Sequence, residues 1–358
     1  MVQPTDILTD AMLSHQLDLL RLSAGEQRKA VVILNRMQGE LTVKLQTDLT
    51  DYGRARVNRL LKEADKVIEE YYELAAGQTD LSGIAAHETE YTANTMTGIG
   101  LQASLPGTAA MKSIVNGALI QGASSAAWWA KQAETTQFNF AAAVRQGIVQ
   151  GESIQQIVGR VKGMPVQGIA GIMPLTRRNA TTLVHESVMG VANDAHMATY
   201  RENDDIVKGV QHLSTFDGRT TAICVAYSGA MWDLDGNPIG GTTLPWVNEA
   251  PGANSNGGTP RHWGCRSTEV PVLKTWRELG VPIDEMPVST RASERGQVRA
   301  DMTMDDFLKT KSAAQLDDML GKGRAELYRE GKITLSQLVD GRGRELSLAD
   351  LKAIAGVN

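Results

Sequence analysis

The chain has 358 residues, 42% of them hydrophobic and 22% charged, with a formal net charge of -5. That length asks for two or three structural units, and the composition is that of a globular protein able to fold without disulfide staples. The acidic balance excludes a surface that wraps nucleic acid throughout, which depends on Lys and Arg neutralising phosphate, and leaves only local basic patches for packaged DNA. Two cysteines, Cys224 and Cys265, exclude a disulfide framework and point to a reducing compartment. The chain opens with no basic segment followed by an apolar one, and no run of about 18 apolar residues occurs. Neither a signal peptide nor a membrane span is expected.

Residues 10 to about 77 carry helical periodicity. Leu13, Leu17 and Leu20 recur at i, i+4 and i+7, and Val57, Leu60, Leu61, Ala64, Val67, Ile68 and Tyr71 repeat the stripe further on. Gly25, Gly39 and Gly53 are the expected breaks, giving two or three long helices. His87 to Met96 reads as helix and Gly98 to Thr108 as loop. Helical pattern returns over 111–163, where Trp128, Trp129, Phe138 and Phe140 supply large bodies for packing. Ala141 to Gln150 reads as a helix ended near Gly151, and Ser153 as the cap of the next, Ile154 to Val161. Residues 174–203 form the most regular helix, with Val184, Val188, Val191, Ala195 and Ala198 on one face.

After Asp205 the pattern changes. Ile206 to Thr215 alternates like a strand, Met231 to Leu234 runs into the turn Asp235-Gly236-Asn237-Pro238, and Gly240 to Gly258 is a long polar loop. Val270 and Val272 would close a small sheet. Residues 276–300 read as linker, in which Arg291, Arg295 and Arg299 would share a face if helical. Residues 301–358 return to short helices, with Thr303 and Asp306, then Ser347 and Asp350, as paired caps. The expected fold class is mainly α: a helical region over 1–110, a central helical region over 111–204, a small α+β module over 205–275, and a linker with a helical tail over 276–358.

Chemistry-bearing residues cluster in the module. Asp217, Arg219, Thr220, Cys224 and Gly229 are followed by Pro260-Arg261-His262-Trp263-Gly264-Cys265-Arg266. Thiolate and imidazole are the preferred ligands of structural zinc, which takes four in a tetrahedron. Cys224, His262 and Cys265 supply three, and His212 on the preceding strand is the candidate fourth. The alternative is that Cys224 packs as a small hydrophobe while His262 and Asp217 hold the loop by hydrogen bonds. A thiol nucleophile would need a His-activated thiolate in a cleft, for which residue types alone speak. His185-Glu186 lacks the second His of a zinc-peptidase helix, because position 189 is Met. Glu186 is expected to fix helix packing through a buried polar contact. No Walker-type glycine loop occurs.

The order of these pieces resembles the phage Mu F-like head morphogenesis family, also called minor head or minor capsid proteins. Three stretches carry the resemblance. The helix from Arg177-Arg178-Asn179-Ala180 through His185-Glu186-Ser187 to Tyr200-Arg201 resembles the one before the family's core module, where members commonly carry Arg-Thr-Glu in place of Val184-His185-Glu186. Asp217-x-Arg219-Thr220-x-x-x-Cys224 with Tyr227-x-Gly229, then Pro260-x-His262-x-x-Cys265-Arg266, is similar to the core pattern. Many relatives have further cysteines there, where this chain has Thr221 and Ser267 nearby. Leu320-Gly321-Lys322-Gly323-Arg324 through Ile333 resembles the family's tail segment.

The resemblance implies a structural, non-enzymatic protein. It would sit inside the virion head at the portal vertex in several copies, assembled in host cytoplasm, with the portal protein and the major capsid or scaffold protein as partners. It would act in head assembly and in DNA packaging or delivery. Ejection with the genome into the host and a zinc-dependent hydrolase are the alternatives. Some relatives carry an added toxin domain, and none is expected here.

Overall fold

Two helices, α1 (Pro4–Asp48) and α2 (Arg54–Gly77), fill the N-terminal stretch. The computed structural model describes residues 4–49, 52–215, 217–275, 277–279, 290–293, 296–299 and 303–357, with the backbone alone for 4–6, 290–293 and 296–299. Gly53 ends the first helix region as expected, but Gly25 and Gly39 lie inside α1. A helical glycine costs only about 1 kcal/mol relative to alanine. The seam of Ala30, Leu34, Met37, Leu41 and Leu45, all fully buried, offsets that several times over at about 1.5–3 kcal/mol per large side chain. A Cβ at Gly39 would meet nothing within 4 Å. Gly39→Ala is therefore expected to stabilise the protein by about 0.5–1 kcal/mol in denaturant unfolding; a loss of stability would show that α1 is not continuous there.

The stripe predicted for the start of α1 is out of phase. Met12, Gln16 and Leu19 are buried, whereas Leu17 is 51% exposed. The reason is polar pairing that hydropathy does not register. The Gln16 side-chain amide donates to the carbonyls of Arg266 and Ser267 at 3.1 and 3.2 Å, and His15 bonds Glu88 at 2.7 Å. A buried polar group that finds a partner avoids the desolvation penalty that would otherwise keep it at the surface.

Next come α3 (Leu81–Gly98), α4 (Thr108–Gly117), the two-residue strands β1 (Leu119–Ile120) and β2 (Ala123–Ser124), α5 (Ser125–Val149), α6 (Ile154–Lys162) and α7 (Met173–Glu202). Ser153 caps α6 in a reciprocal box with Gln156, as its position predicted. In α5, Trp129 and Phe140 are buried but Phe138 is 73% exposed. Two residues turn a helix by about 200°, so Phe138 and Phe140 cannot share its inner face. From Leu183 to Tyr200, α7 is buried on every side except at Asp194 and Ala198, a fuller burial than the single predicted face.

The module follows with β3 (Val207–Leu213), α8 (Ala222–Tyr227), β4 (Met231–Asp233), β5 (Pro238–Ile239) and β6 (Thr268–Leu273). The strands form one antiparallel sheet in the order β5-β4-β3-β6. Gly209 on β3 stands opposite Asp233, and a Cβ there would lie 2.2 Å from the Trp232 carbonyl oxygen. Gly209→Ala must push two backbones apart. It is expected to cost about 1–3 kcal/mol, and an unchanged midpoint in urea would contradict the register.

Two strands, β7 (Thr290–Ser293) and β8 (Gly296–Arg299), pair as an antiparallel ribbon inside the stretch expected to be linker. Arg291 and Arg299 sit in those strands, while Arg295 lies outside the described residues. The helical basic face is thus corrected to extended chain, for which β-branched Thr290 and Val298 are suited. The tail holds α9 (Met304–Lys309), α10 (Ala313–Leu320), α11 (Lys322–Arg329) and α12 (Leu348–Ile354). Thr303 with Asp306, and Ser347 with Asp350, form the two predicted capping boxes.

The protein is mainly α with a small sheet module, as expected. It divides into two compact units. One comprises Met1–Leu20, Leu81–Gly122 and Val188–Asn358; the other comprises Arg21–Asp80 and Ala123–Ser187. The first has its core where the sheet and α8 meet the tail helices, around Val210, Tyr227, Trp232, Trp246, Phe307, Leu308 and Leu338. The second is helical; Tyr72 bonds Thr136 at 2.8 Å and meets the Trp129 ring edge-on. No described helix is long and apolar enough to cross a membrane.

Candidate functional site

Cys224, His262 and Cys265 converge inside the first unit. Thr221 caps α8, its hydroxyl accepting from the Cys224 amide, and this sets Cys224 in the first turn of that helix. The loop after Pro260 brings the other two in. The Cys224 sulfur lies 3.2 Å from His262 Nε2 and 3.6 Å from the Cys265 sulfur, and the three donor atoms lie within 4.8 Å of one another. The three residues are 2%, 9% and 1% exposed. His262 Nδ1 faces the Trp263 carbonyl at 2.9 Å. A carbonyl only accepts, so Nδ1 carries a proton and Nε2 points at the sulfurs.

The two thiols are driven apart in acidity. Burial would raise the Cys265 pKa, but the hydrogen bond with Cys224 and the adjacent His262 charge outweigh it and hold the thiol well below its usual range. Cys224 goes up, through its hydrogen bond with Cys265 and through burial. Two sulfurs and one imidazole nitrogen are a donor set suited to a borderline-soft metal. Zinc–sulfur bonds of about 2.3 Å put tetrahedral sulfurs about 3.8 Å apart, close to the 3.6 Å found between Cys224 and Cys265. The residues therefore fit three ligands of a zinc ion. Around them stand hydroxyls: Thr221 Oγ1 is 2.8 Å from His262 Nε2, and Ser267 hydrogen-bonds the Cys224 side chain.

His212, the expected fourth ligand, is not in this group. It faces Glu269 across the β3–β6 pair and bonds its carboxylate at 3.1 Å. Glu269 also accepts from Arg261 at 3.0 Å. Arg261 is fully buried, donates to the Trp246 carbonyl at 2.6 Å, and lies over the rings of Tyr227, Trp232 and Trp246 at 4.3, 4.7 and 5.2 Å from their centroids. This caged ion cluster was not anticipated. A charged residue at an inward-facing position of a strand, Glu269, was the available signal, because such a group must find a partner.

Asp217 closes the rim of the site. Its carboxylate takes both Nη atoms of Arg266 at 2.6 and 2.7 Å. Arg219 donates its backbone N–H to Asp217 at 2.8 Å. The Thr220 hydroxyl donates to the Thr215 carbonyl. Burial would raise the Asp217 pKa, but the Arg266 bonds win and lower it. That stability is fully present above the ordinary carboxylate range and is lost as pH falls through the depressed pKa. Asp217→Asn is expected to cost about 1–3 kcal/mol near neutral pH and to flatten the acid side of the stability profile. An unchanged acid limb would mean that the pair is not what responds.

Gly229 has φ of +85° and donates its N–H to the His212 carbonyl at 2.9 Å; a side chain there would be strained by about 1–2 kcal/mol. Glu186 is buried at 1% exposure on α7, in the second unit, and is not among the Cys224 group.

No curated protein and no solved structure matches the chain. A family model described as Phage Mu protein F like protein matches residues 139–270, a span that takes in α7 and nearly the whole sheet module with its two buried clusters, and this part of the chain is accordingly similar to phage Mu F-like proteins.

Proposed function

We propose that the protein is a structural minor head protein of a tailed bacteriophage, held inside the capsid at the portal vertex, where it serves head assembly and DNA packaging or delivery. The family match over 139–270 supports a phage head-related protein with capsid-related partners. The observation that carries the structural reading is the closure of the module. Cys224, His262 and Cys265 are nearly inaccessible, and Arg261 and Glu269 are 0% and 1% exposed. In this reading a zinc ion on Cys224, His262 and Cys265 is a cross-link between α8 and the 260–266 loop. It makes a rigid docking unit, and the long helices offer apolar stripes for subunit packing.

The second reading is a zinc-dependent hydrolase, favoured by the count of three protein donors where a closed site has four. A hydrolytic zinc keeps an open position for water beside a general base, which the burial of all three donors opposes. Co-expression with the phage portal protein, purification through a tag on this chain, imaging and metal analysis test the proposal. A ring-associated complex without hydrolytic turnover is the expected result. A free monomer that ignores the portal would overturn the portal reading, and turnover dependent on zinc would move the assignment to an enzyme. Comparing full and emptied virions separates a resident head protein, retained in both, from one ejected with the genome.

A further inference from the structure

A second set of metal-ligating side chains converges in the first unit, away from the cysteines. On α3, the Glu88 carboxylate is 1% exposed. One of its oxygens lies 2.7 Å from His15 Nε2 on α1 and 2.9 Å from His196 Nε2 on α7, and the other lies 2.9 Å from His87 Nδ1. The donor atoms of His15, His87 and Glu88 all lie within 4.8 Å of one another. Among the described residues, the ion-pair partners of Glu88 are these three imidazoles. We propose that His15, His87 and Glu88 form a metal site for a first-row transition dication of the zinc type, with His196 holding the Glu88 carboxylate in place.

The donor set is the first argument. Two imidazole nitrogens and one carboxylate oxygen, with a water in the fourth position, are a set that zinc and its neighbours take without need of sulfur. Charge is the second. A carboxylate buried among imidazoles, with no Lys or Arg of the described residues paired to it, is compensated best by a dication. The third is the way the ligands are held. The Tyr91 ring stacks on His15 with 3.6 Å between centroids and 12° between planes, and its hydroxyl donates to the Ala11 carbonyl. Such outer contacts fix ring orientation at metal sites. One turn beyond His196, Tyr200 is fully buried and its hydroxyl has no hydrogen-bond partner among the described residues, which leaves a polar atom for a metal-bound water to satisfy. The His87 side chain is 65% exposed and gives an ion its way in.

Zinc bonds of about 2.0–2.2 Å set tetrahedral donors about 3.3 Å apart, a separation inside the 4.8 Å limit within which the donors of His15, His87 and Glu88 already lie. The ion would join chain position 15 on α1 to positions 87 and 88 on α3. Closing such long loops stabilises the folded state. The proposal stands apart from the family reading and from the cysteine group.

The full-length protein, stripped with a chelator, is titrated with Co²⁺ and then Zn²⁺. Cobalt on thiolates gives intense sulfur-to-metal charge transfer in the near ultraviolet; cobalt on imidazole and carboxylate gives only ligand-field bands. The expected result is an equivalent of metal with ligand-field bands and no thiolate band, whose affinity falls about tenfold or more in His87→Ala. His87 is at the surface, so this variant keeps the core, which circular dichroism checks. Absence of a thiolate-free equivalent in the wild type, or one that His87→Ala leaves unchanged, overturns the site and leaves a hydrogen-bonded network around Glu88.

Discussion

Arg261→Ala is expected to cost about 3–5 kcal/mol, a large share of a typical folding stability of about 5–15 kcal/mol, and to unfold much of the sheet module. The guanidinium is fully buried, and its removal leaves the Glu269 carboxylate, itself 1% exposed, facing His212 alone. It also strips the cation from three aromatic faces, each contact contributing about 0.5–2 kcal/mol. Burial would raise the Glu269 pKa, but His212 and Arg261 keep it below the usual range. Its contribution is therefore present above the ordinary carboxylate pKa and lost as pH falls through the depressed one. Without Arg261 that loss moves to higher pH, so acid unfolding should begin earlier. Arg261→Lys is not expected to rescue, because an ammonium offers neither the fork nor the flat face. The double variant Arg261→Met with Glu269→Met should recover much of the loss, since no unpaired charge remains. Tryptophan fluorescence on heating reads the cage directly through Trp232 and Trp246. A single-variant loss below about 1 kcal/mol would sink the claim that this cluster holds the module.

Trp232→Ala is the second large effect, also about 3–5 kcal/mol. Trp232 is 0% exposed, its indole N–H donates to the Leu244 carbonyl at 2.9 Å, and its ring lies 5.9 Å from Tyr227 and 5.4 Å from Trp246. Truncation opens a cavity in the middle of the cage and leaves the Leu244 carbonyl without its donor. Trp232→Phe keeps most of the apolar body and should cost less, about 1–3 kcal/mol, mainly for that unsatisfied carbonyl. Because Arg261 lies over the same ring, the losses from Trp232→Ala and Arg261→Ala should not add. A double-mutant cycle is expected to return a coupling of about 0.5–3 kcal/mol. Strict additivity would mean that the ring and the guanidinium stabilise the module independently.

The elements read most accurately from sequence are those whose signals are local. The caps Ser153, Thr303 and Ser347 each meet a partner three residues on, and a capping box involves no residue beyond that turn. The strands of the module show because alternation and turn residues sit side by side in the chain. Failures occurred where a distant group decided the outcome. Leu17 looked like core by spacing, but Gln16 is the residue buried, because carbonyls 250 residues away accept from it. Gly39 looked like a break, but burial elsewhere along α1 outweighs its local cost.

The site divides in the same way. Cys224, His262 and Cys265 were legible as a group because thiol and imidazole are rare in this chain and their types define a donor set. The sequence by itself also determined the helical class, the position of the sheet module and the caps, all of which follow from short-range periodicity and residue chemistry. Tertiary structure alone decided that His212 pairs with Glu269, that Arg266 holds Asp217, that Arg261 sits in an aromatic cage, and that His15, Glu88 and His196 meet. The physical reason is that buried polar partners are chosen by strand register and helix packing, and a shift of one residue there turns a side chain to the opposite face.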